Sequence, residues 1–110
     1  MVFKKAKSES RGVRLAVFEA GKEAGRLFIY ILRNELHREP FAIFEDLFVL
    51  PECRGRGLGR ALLKRAIKIA KQSGCYKIIS YSRHSRKNLH KFYRSLGFKN
   101  HGVELRIDLK

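Results

Sequence analysis

The spacing of hydrophobic and polar residues predicts strands and helices in a definite order along the chain. Short apolar runs and alternating segments, bounded by glycine, proline or charged residues, are typical of β-strands. They predict five strands, over residues 13–18, 27–32, 41–50, 76–81 and 103–109. The last segment alternates apolar and polar residues from Val103 to Leu109, so a half-buried final strand is expected there.

The period becomes helical at two places. From Leu58 to Lys71 apolar residues recur at i, i+3 and i+4, which predicts an amphipathic helix. The face expected to be buried consists of Leu58, Ala61, Leu62, Arg65, Ala66 and Ile69. A second helix is predicted before Gly97, where glycine can end it. Its apolar positions are Leu89, Phe92, Tyr93 and Leu96.

The resulting order, β-β-β-α-β-α-β, predicts an α+β (α/β) fold with a mixed sheet. Antiparallel hairpins come first, and a right-handed β-α-β crossover then joins two parallel strands. The 110 residues are enough for one domain, 1–110, in which residues 1–11 form a flexible basic tail. The basic start lacks the apolar core of a signal peptide, and two cysteines cannot form a disulfide framework, so a cytoplasmic protein is expected.

Positive charge is concentrated in the second half of the chain. Residues 1–53 hold nine basic and eight acidic side chains, whereas residues 54–110 hold sixteen basic and two acidic ones. Such an asymmetry indicates an anionic partner for the second half, which composition alone does not identify.

A glycine-rich loop separates the third strand from the first helix. Its sequence, residues 54–60, is Arg-Gly-Arg-Gly-Leu-Gly-Arg. Glycines allow close approach of a ligand to the backbone, and the unpaired amides of a helix start favour a phosphate or pyrophosphate. The loop lacks the Gly-Lys-Ser/Thr ending of a P-loop, and residues 54–103 lack the acidic residue of a dinucleotide fingerprint.

A third pattern, Arg/Gln-x-x-Gly-x-Gly/Ala, is matched by Arg54, Gly57 and Gly59. Two further segments accompany it in the expected order, Glu-Asp-Leu-Phe-Val at 45–49 and Phe-Tyr-Arg-Ser-Leu-Gly-Phe at 92–98. Together they make residues 13–109 resemble the GNAT superfamily of N-acetyltransferases. An ordinary glycine-rich turn is the alternative interpretation of the loop taken alone.

The resemblance implies an acyl-CoA N-acyltransferase-like sheet and direct transfer of acetyl from acetyl-CoA to a primary amine. It implies that the pantothenate arm pairs with the backbone of the third strand, where one amide polarises the thioester, and that the loop binds the pyrophosphate. The implied cofactor-binding residues are Leu47, Phe48, Val49, Arg54, Gly55, Arg56, Gly57, Leu58, Gly59, Arg60, Arg86 and Asn88.

Two residues are candidates for acid–base catalysis under the same resemblance. Tyr93 could protonate the leaving thiolate, although its helical spacing also fits a core aromatic residue. Glu45 could take the proton of the amine, or could simply pair with a neighbouring cation. It stands four residues before Val49, so both are expected on one face of the third strand, with Asp46 on the other.

A different class of function is a non-catalytic basic module that binds nucleic acid or coenzyme A. Aromatic residues lie among the cations of the second half, which fits a phosphate backbone, but no sequence-reading motif is present. The resemblance would place a strand and two helices before the hairpin, and too few residues precede the first predicted strand for them, so room for a large acceptor or for the second subunit of a homodimer is expected. No His, Cys and acidic cluster has metal-ligand spacing, so no metal is predicted.

Overall fold

A four-stranded mixed sheet forms the first part of the molecule. The structure, a computed structural model, describes residues 1–81 and 87–110. The strands are β1 (Ser10–Glu19), β2 (Lys22–Leu32), β3 (Phe41–Val49) and β4 (Ile78–Ser80), and they lie in the order β1-β2-β3-β4. The pairs β1–β2 and β2–β3 are antiparallel, while β3–β4 is parallel. The predicted mixed sheet is therefore confirmed, and β1 and β2 begin earlier than the apolar pattern indicated.

One helix, α1 (Leu58–Gln72), covers a face of this sheet. Its buried residues are Leu62, Leu63, Ala66 and Ala70. The buried face of α1 differs from the predicted one, because Ala61 and Arg65 are exposed and Leu63 is fully buried instead. A charged guanidinium costs too much to bury without a partner, so the helix turns Arg65 to solvent.

The core lies between α1 and the alternate residues of β2 that face it. Leu27, Ile29 and Ile31 are buried, and the last two pair across the sheet with the buried Phe44 and Ala42 of β3. Paired residues share a face of a sheet, so these side chains form one apolar layer. The opposite face carries the residues between them, and it includes Arg26 and Phe28 of β2.

The second unit, Tyr81–Lys110, contains the helix α2 (Lys87–Ser95). Gly97 adopts a φ of 98° after this helix, and the amide of Phe98 then donates to the carbonyl of Tyr93. The prediction of a final strand is wrong. Residues 103–109 form no strand, and their apolar side chains are 71–90% exposed. Alternation shows only that a segment can enter a sheet, and a strand also requires a partner for its backbone hydrogen bonds.

Candidate active site

The predicted cofactor loop adopts the conformation that its glycines allow. Gly55 and Gly57 have φ values of 79° and 80°, in the left-handed region that favours glycine. Gly57 is the N-cap of α1 and provides no side-chain cap, although its carbonyl accepts the amide of Ala61 at 3.0 Å. The amides of the first helical turn therefore have neither an intrahelical acceptor nor a capping side chain, which makes the helix start suitable for an anion.

The arginines of the loop already have partners within the protein. Arg54 donates from Nε to the carbonyl of Val49 at 2.9 Å, and its guanidinium lies 5.5 Å from the centre of the Phe48 ring. Arg56 forms an ion pair of 2.8 Å with Glu19, at the end of β1. A second ion pair of 3.2 Å joins Lys22 to Glu52, which lies just before the loop. These contacts could not be predicted from the sequence, since they depend on how the β1–β2 turn meets the loop.

The strand before the loop contains a β-bulge. Its register with β2 passes from Phe28↔Glu45 to Arg26↔Phe48, so that two residues of β3, Asp46 and Leu47, stand opposite one residue of β2. Asp46 has a φ of 55°, which is rare for a residue other than glycine. The bulge changes the alternation of side chains along the second half of β3.

The bulge corrects the expected position of Glu45. Cross-strand pairing places Glu45 on the face of Phe28 and Phe48, whereas Val49 pairs with Gly25 on the face covered by α1. The four-residue spacing would give a common face only in a regular strand, so the prediction that Glu45 and Val49 share a face is wrong. The carboxylate of Glu45 is exposed and stands directly across from an aromatic residue.

The parallel ladder between β3 and β4 ends before the bulge. Its pairs are Ala42↔Ile78, Ile43↔Ile79 and Phe44↔Ser80. In the part of the chain that the structure describes, no strand pairs with residues 45–49 on the β4 side, and β2 alone borders them. Leu47 and Val49 are half-buried and Phe48 is exposed, and a short 3-10 turn, Pro51–Cys53, joins this open backbone edge to the glycine loop.

The remaining predicted site residues belong to the second unit or lie outside the residues that the structure describes. Tyr93 is buried in α2, and its ring packs edge-on against Phe98, with ring centres 5.3 Å apart. This contact explains why a glycine and an aromatic residue follow the helix. Asn88 is exposed near the start of α2, and Arg86 lies outside the described residues.

Neither a metal cluster nor a membrane helix is found in residues 1–81 and 87–110. Within these ranges no group of three or more His, Cys, Asp or Glu side chains could hold a metal ion. No helix there has the length and hydrophobicity to cross a bilayer. Cys53 and Cys75 are unlinked, and burial raises the pKa of the Cys75 thiol.

Several solved structures with the same architecture are named as acetyltransferases. A putative acetyltransferase from Agrobacterium tumefaciens str. C58 superimposes with a TM-score of 0.83 and 28% identity, covering 88% of this chain and 68% of that one. An acetyltransferase of Trypanosoma brucei superimposes with a TM-score of 0.75 and 32% identity, over 91% of this chain and 69% of that one.

The family follows from the sequence itself. The model of the acetyltransferase (GNAT) family matches residues 2–98, so the chain belongs to this family. A glucosamine 6-phosphate N-acetyltransferase of Trypanosoma brucei brucei is 46% identical over 65 residues, which are 59% of this chain and 42% of that protein. The chain thus spans less than half the length of this curated relative.

Proposed function

We propose that the protein transfers acetyl from acetyl-CoA to a primary amine. One observation supports this proposal above the others. In the first unit, Met1–Ser80, the open edge of β3 is followed in the chain by a glycine loop at the start of a helix. The pyrophosphate would bind to the loop, residues 54–60, and the pantothenate arm would pair with residues 47–49. Family membership supports this assignment.

The reaction that we propose is a direct transfer within a ternary complex. The amine nitrogen attacks the thioester carbon, the new C–N bond forms, and the C–S bond breaks. An amide of β3 stabilises the developing oxyanion. Glu45 accepts the amine proton, and Tyr93 donates its phenolic proton to the departing thiolate. Asn88, near the start of α2, and Arg86, which precedes that helix in the sequence, would add contacts to coenzyme A.

The acceptor that deserves the first trial is glucosamine 6-phosphate. It is the acceptor in the names of two relatives, from Trypanosoma brucei brucei and from rice. The cationic excess of the chain favours an acceptor that also carries an anionic group over a polyamine. The test is to titrate the protein with acetyl-CoA by calorimetry and then to follow thiol release with glucosamine 6-phosphate, glucosamine and spermidine. Saturable binding of acetyl-CoA without transfer to any of these amines would contradict the enzymatic proposal and would indicate a protein that only binds coenzyme A.

The nucleic-acid alternative has one observation in its favour. Four cations on α1 are exposed, and they follow one another at helical spacing, namely Arg60, Lys64, Lys68 and Lys71. Affinity for a nucleic acid would fall steeply as salt rises. Saturable acetyl-CoA binding that is unaffected by added RNA would favour the acetyltransferase, whereas tight RNA binding that weakens steeply as salt rises would favour the nucleic-acid alternative.

A further inference from the structure

The β-bulge of β3 is held by an arginine from the neighbouring strand. Arg26 lies on β2, opposite Phe48, and its guanidinium Nη1 donates a hydrogen bond to the carbonyl of Asp46. A left-handed conformation at a residue other than glycine is unfavourable by about 1–2 kcal/mol, so it persists only where its surroundings hold it. The bulge removes the regular ladder at this point, and the charged donor of Arg26 takes its place for the Asp46 carbonyl.

Two aromatic rings fix the position of that guanidinium. It lies 5.8 Å from the centre of the Phe28 ring and 5.2 Å from that of Phe48. Each ring face attracts a cation, and an arginine held between two rings loses part of its rotamer freedom on folding rather than on binding. Phe48 also contacts Arg54, which donates a hydrogen bond to the carbonyl of Val49. The segment from Asp46 to Val49 is therefore held by guanidinium groups at both ends.

Fixing a carbonyl also fixes the next amide. The peptide unit is planar and trans, so the Asp46 carbonyl and the Leu47 N–H point in opposite directions. Because Arg26 binds the carbonyl, the Leu47 N–H is directed away from the guanidinium. At the other end, the amide of Leu50 donates to the carbonyl of Ala24 at 2.8 Å, so that peptide unit is already bonded to β2.

We infer that Arg26 is a positioning residue of the transfer reaction, which aims the Leu47 N–H at the thioester oxygen of acetyl-CoA. This inference rests on the proposed function, in which residues 47–49 bind the cosubstrate. Arg26 itself does not contact the reacting atoms. It acts through the peptide unit between Asp46 and Leu47, and displacement of an oxyanion donor raises the barrier of the chemical step more than it weakens binding.

Arg14 offers a matched control for the experiment. Its guanidinium also lies 5.8 Å from the Phe28 ring, but both of its terminal nitrogens bind Glu23, at 2.6 and 2.8 Å, and not the bulge. Arg26→Met keeps an unbranched stem against the rings and removes the donor. Arg26→Lys keeps the charge and one ammonium that can still donate. Arg14→Met removes a guanidinium from the same face without touching β3.

Two measurements are made on these variants. In the ligand-free protein, the amide chemical shifts of Leu47 are followed by NMR. Loss of the hydrogen bond to the Asp46 carbonyl should shift this resonance clearly in Arg26→Met, and Arg14→Met should match the wild type. In steady-state kinetics, kcat for acetyl transfer should fall about tenfold to a hundredfold in Arg26→Met, with the KM for acetyl-CoA within about twofold. Arg26→Lys should recover part of the lost kcat.

The outcomes separate the inference from the function on which it rests. Equal kcat values in Arg26→Met and Arg14→Met, or an equal fall in kcat and rise in KM, would overturn the positioning role. If Arg26→Met does not fold, Arg26→Lys is compared with Arg14→Met, and an unchanged kcat together with an unchanged Leu47 amide chemical shift would equally overturn the positioning role. If the wild type binds no acetyl-CoA, the proposed function fails, and an unperturbed Leu47 amide in Arg26→Met would then refute the structural role as well.

Discussion

Replacement of Gly25 by alanine tests how closely the glycine loop, α1 and the bulged strand are packed. Gly25 lies on β2 opposite Val49, where the first turns of α1 approach the sheet. A Cβ atom at this position would lie 3.0 Å from the carbonyl oxygen of Phe48, 3.1 Å from Cδ1 of Leu62 and 3.2 Å from Cγ2 of Val49. All three distances are shorter than an ordinary van der Waals contact of 3.4 Å or more.

The loss of stability expected for Gly25→Ala depends on which of the three neighbouring groups can move. The methyl groups of Leu62 and Val49 can give way by small rotations, but the carbonyl of Phe48 belongs to the backbone of β3. Overpacking of this kind costs about 1–3 kcal/mol. The loss of glycine's freedom in the unfolded chain offsets about 0.4–1 kcal/mol of it. We therefore expect a net destabilisation of about 1–2 kcal/mol, and a weaker affinity for acetyl-CoA because β3 must shift next to the loop.

The assay is urea unfolding followed by circular dichroism, with Gly12→Ala as the matched control. Gly12 is also a strand glycine, and its added Cβ would meet only the Tyr30 ring, at 3.4 and 3.5 Å. Gly12→Ala should be neutral or slightly stabilising. If Gly25→Ala is as stable as Gly12→Ala and binds acetyl-CoA as tightly as the wild type, then Gly25 is not closely packed against β3 and α1.

Four further predictions concern chemistry and charge. Tyr93→Phe should lower kcat at least tenfold with little change in acetyl-CoA affinity, and equal losses in both would contradict an acid role. Glu45→Gln should lower the rate most at low pH, where more of the amine is protonated, so a pH-independent loss in kcat/KM would argue against a base. Arg56→Ala should weaken acetyl-CoA binding about twofold to fivefold by calorimetry, whereas Lys4→Ala should leave it unchanged. The hydrogen bond from its arginine partner lowers the pKa of Glu23, so its stabilisation is present above the ordinary pKa and lost as pH falls through the lowered value. Glu23→Gln should therefore be less stable than wild type near pH 7, and the difference should disappear as the pH falls through the lowered pKa, as judged by thermal unfolding.

Local periodicity was enough to predict most elements of the fold. The helix over residues 58–71 and the third strand were placed within a residue or two of α1 and β3. The crossover between β3 and β4 followed from the order of the elements. These features depend on neighbours in sequence, for which hydrophobic period and glycine position are direct signals.

The bulge could not be predicted from period alone, because it breaks the period. The adjacent acidic residues Glu45 and Asp46, inside an otherwise apolar strand, were the available signal, since aspartate is unfavourable in strands and tolerates a left-handed conformation. Reading them as one outward and one inward residue assumed a regular strand. The role of Arg26 was equally hidden, since its contact with Asp46 spans two strands and depends on the register.

The distribution of charge along the sequence also differs from its distribution in the folded structure. The first half is almost neutral and the second strongly cationic, but the β1–β2 turn brings Glu19 of the first half to Arg56 of the loop. The same turn brings Lys22 to Glu52, and the pKa of Glu52 is lowered by hydrogen bonding to its own backbone amide and by the hydrogen bond from Lys22. Part of the loop's positive charge is therefore already balanced. An incoming pyrophosphate would have to share Arg56 with Glu19, so the anion affinity of the loop should depend on the backbone amides of the helix start at least as much as on its arginines.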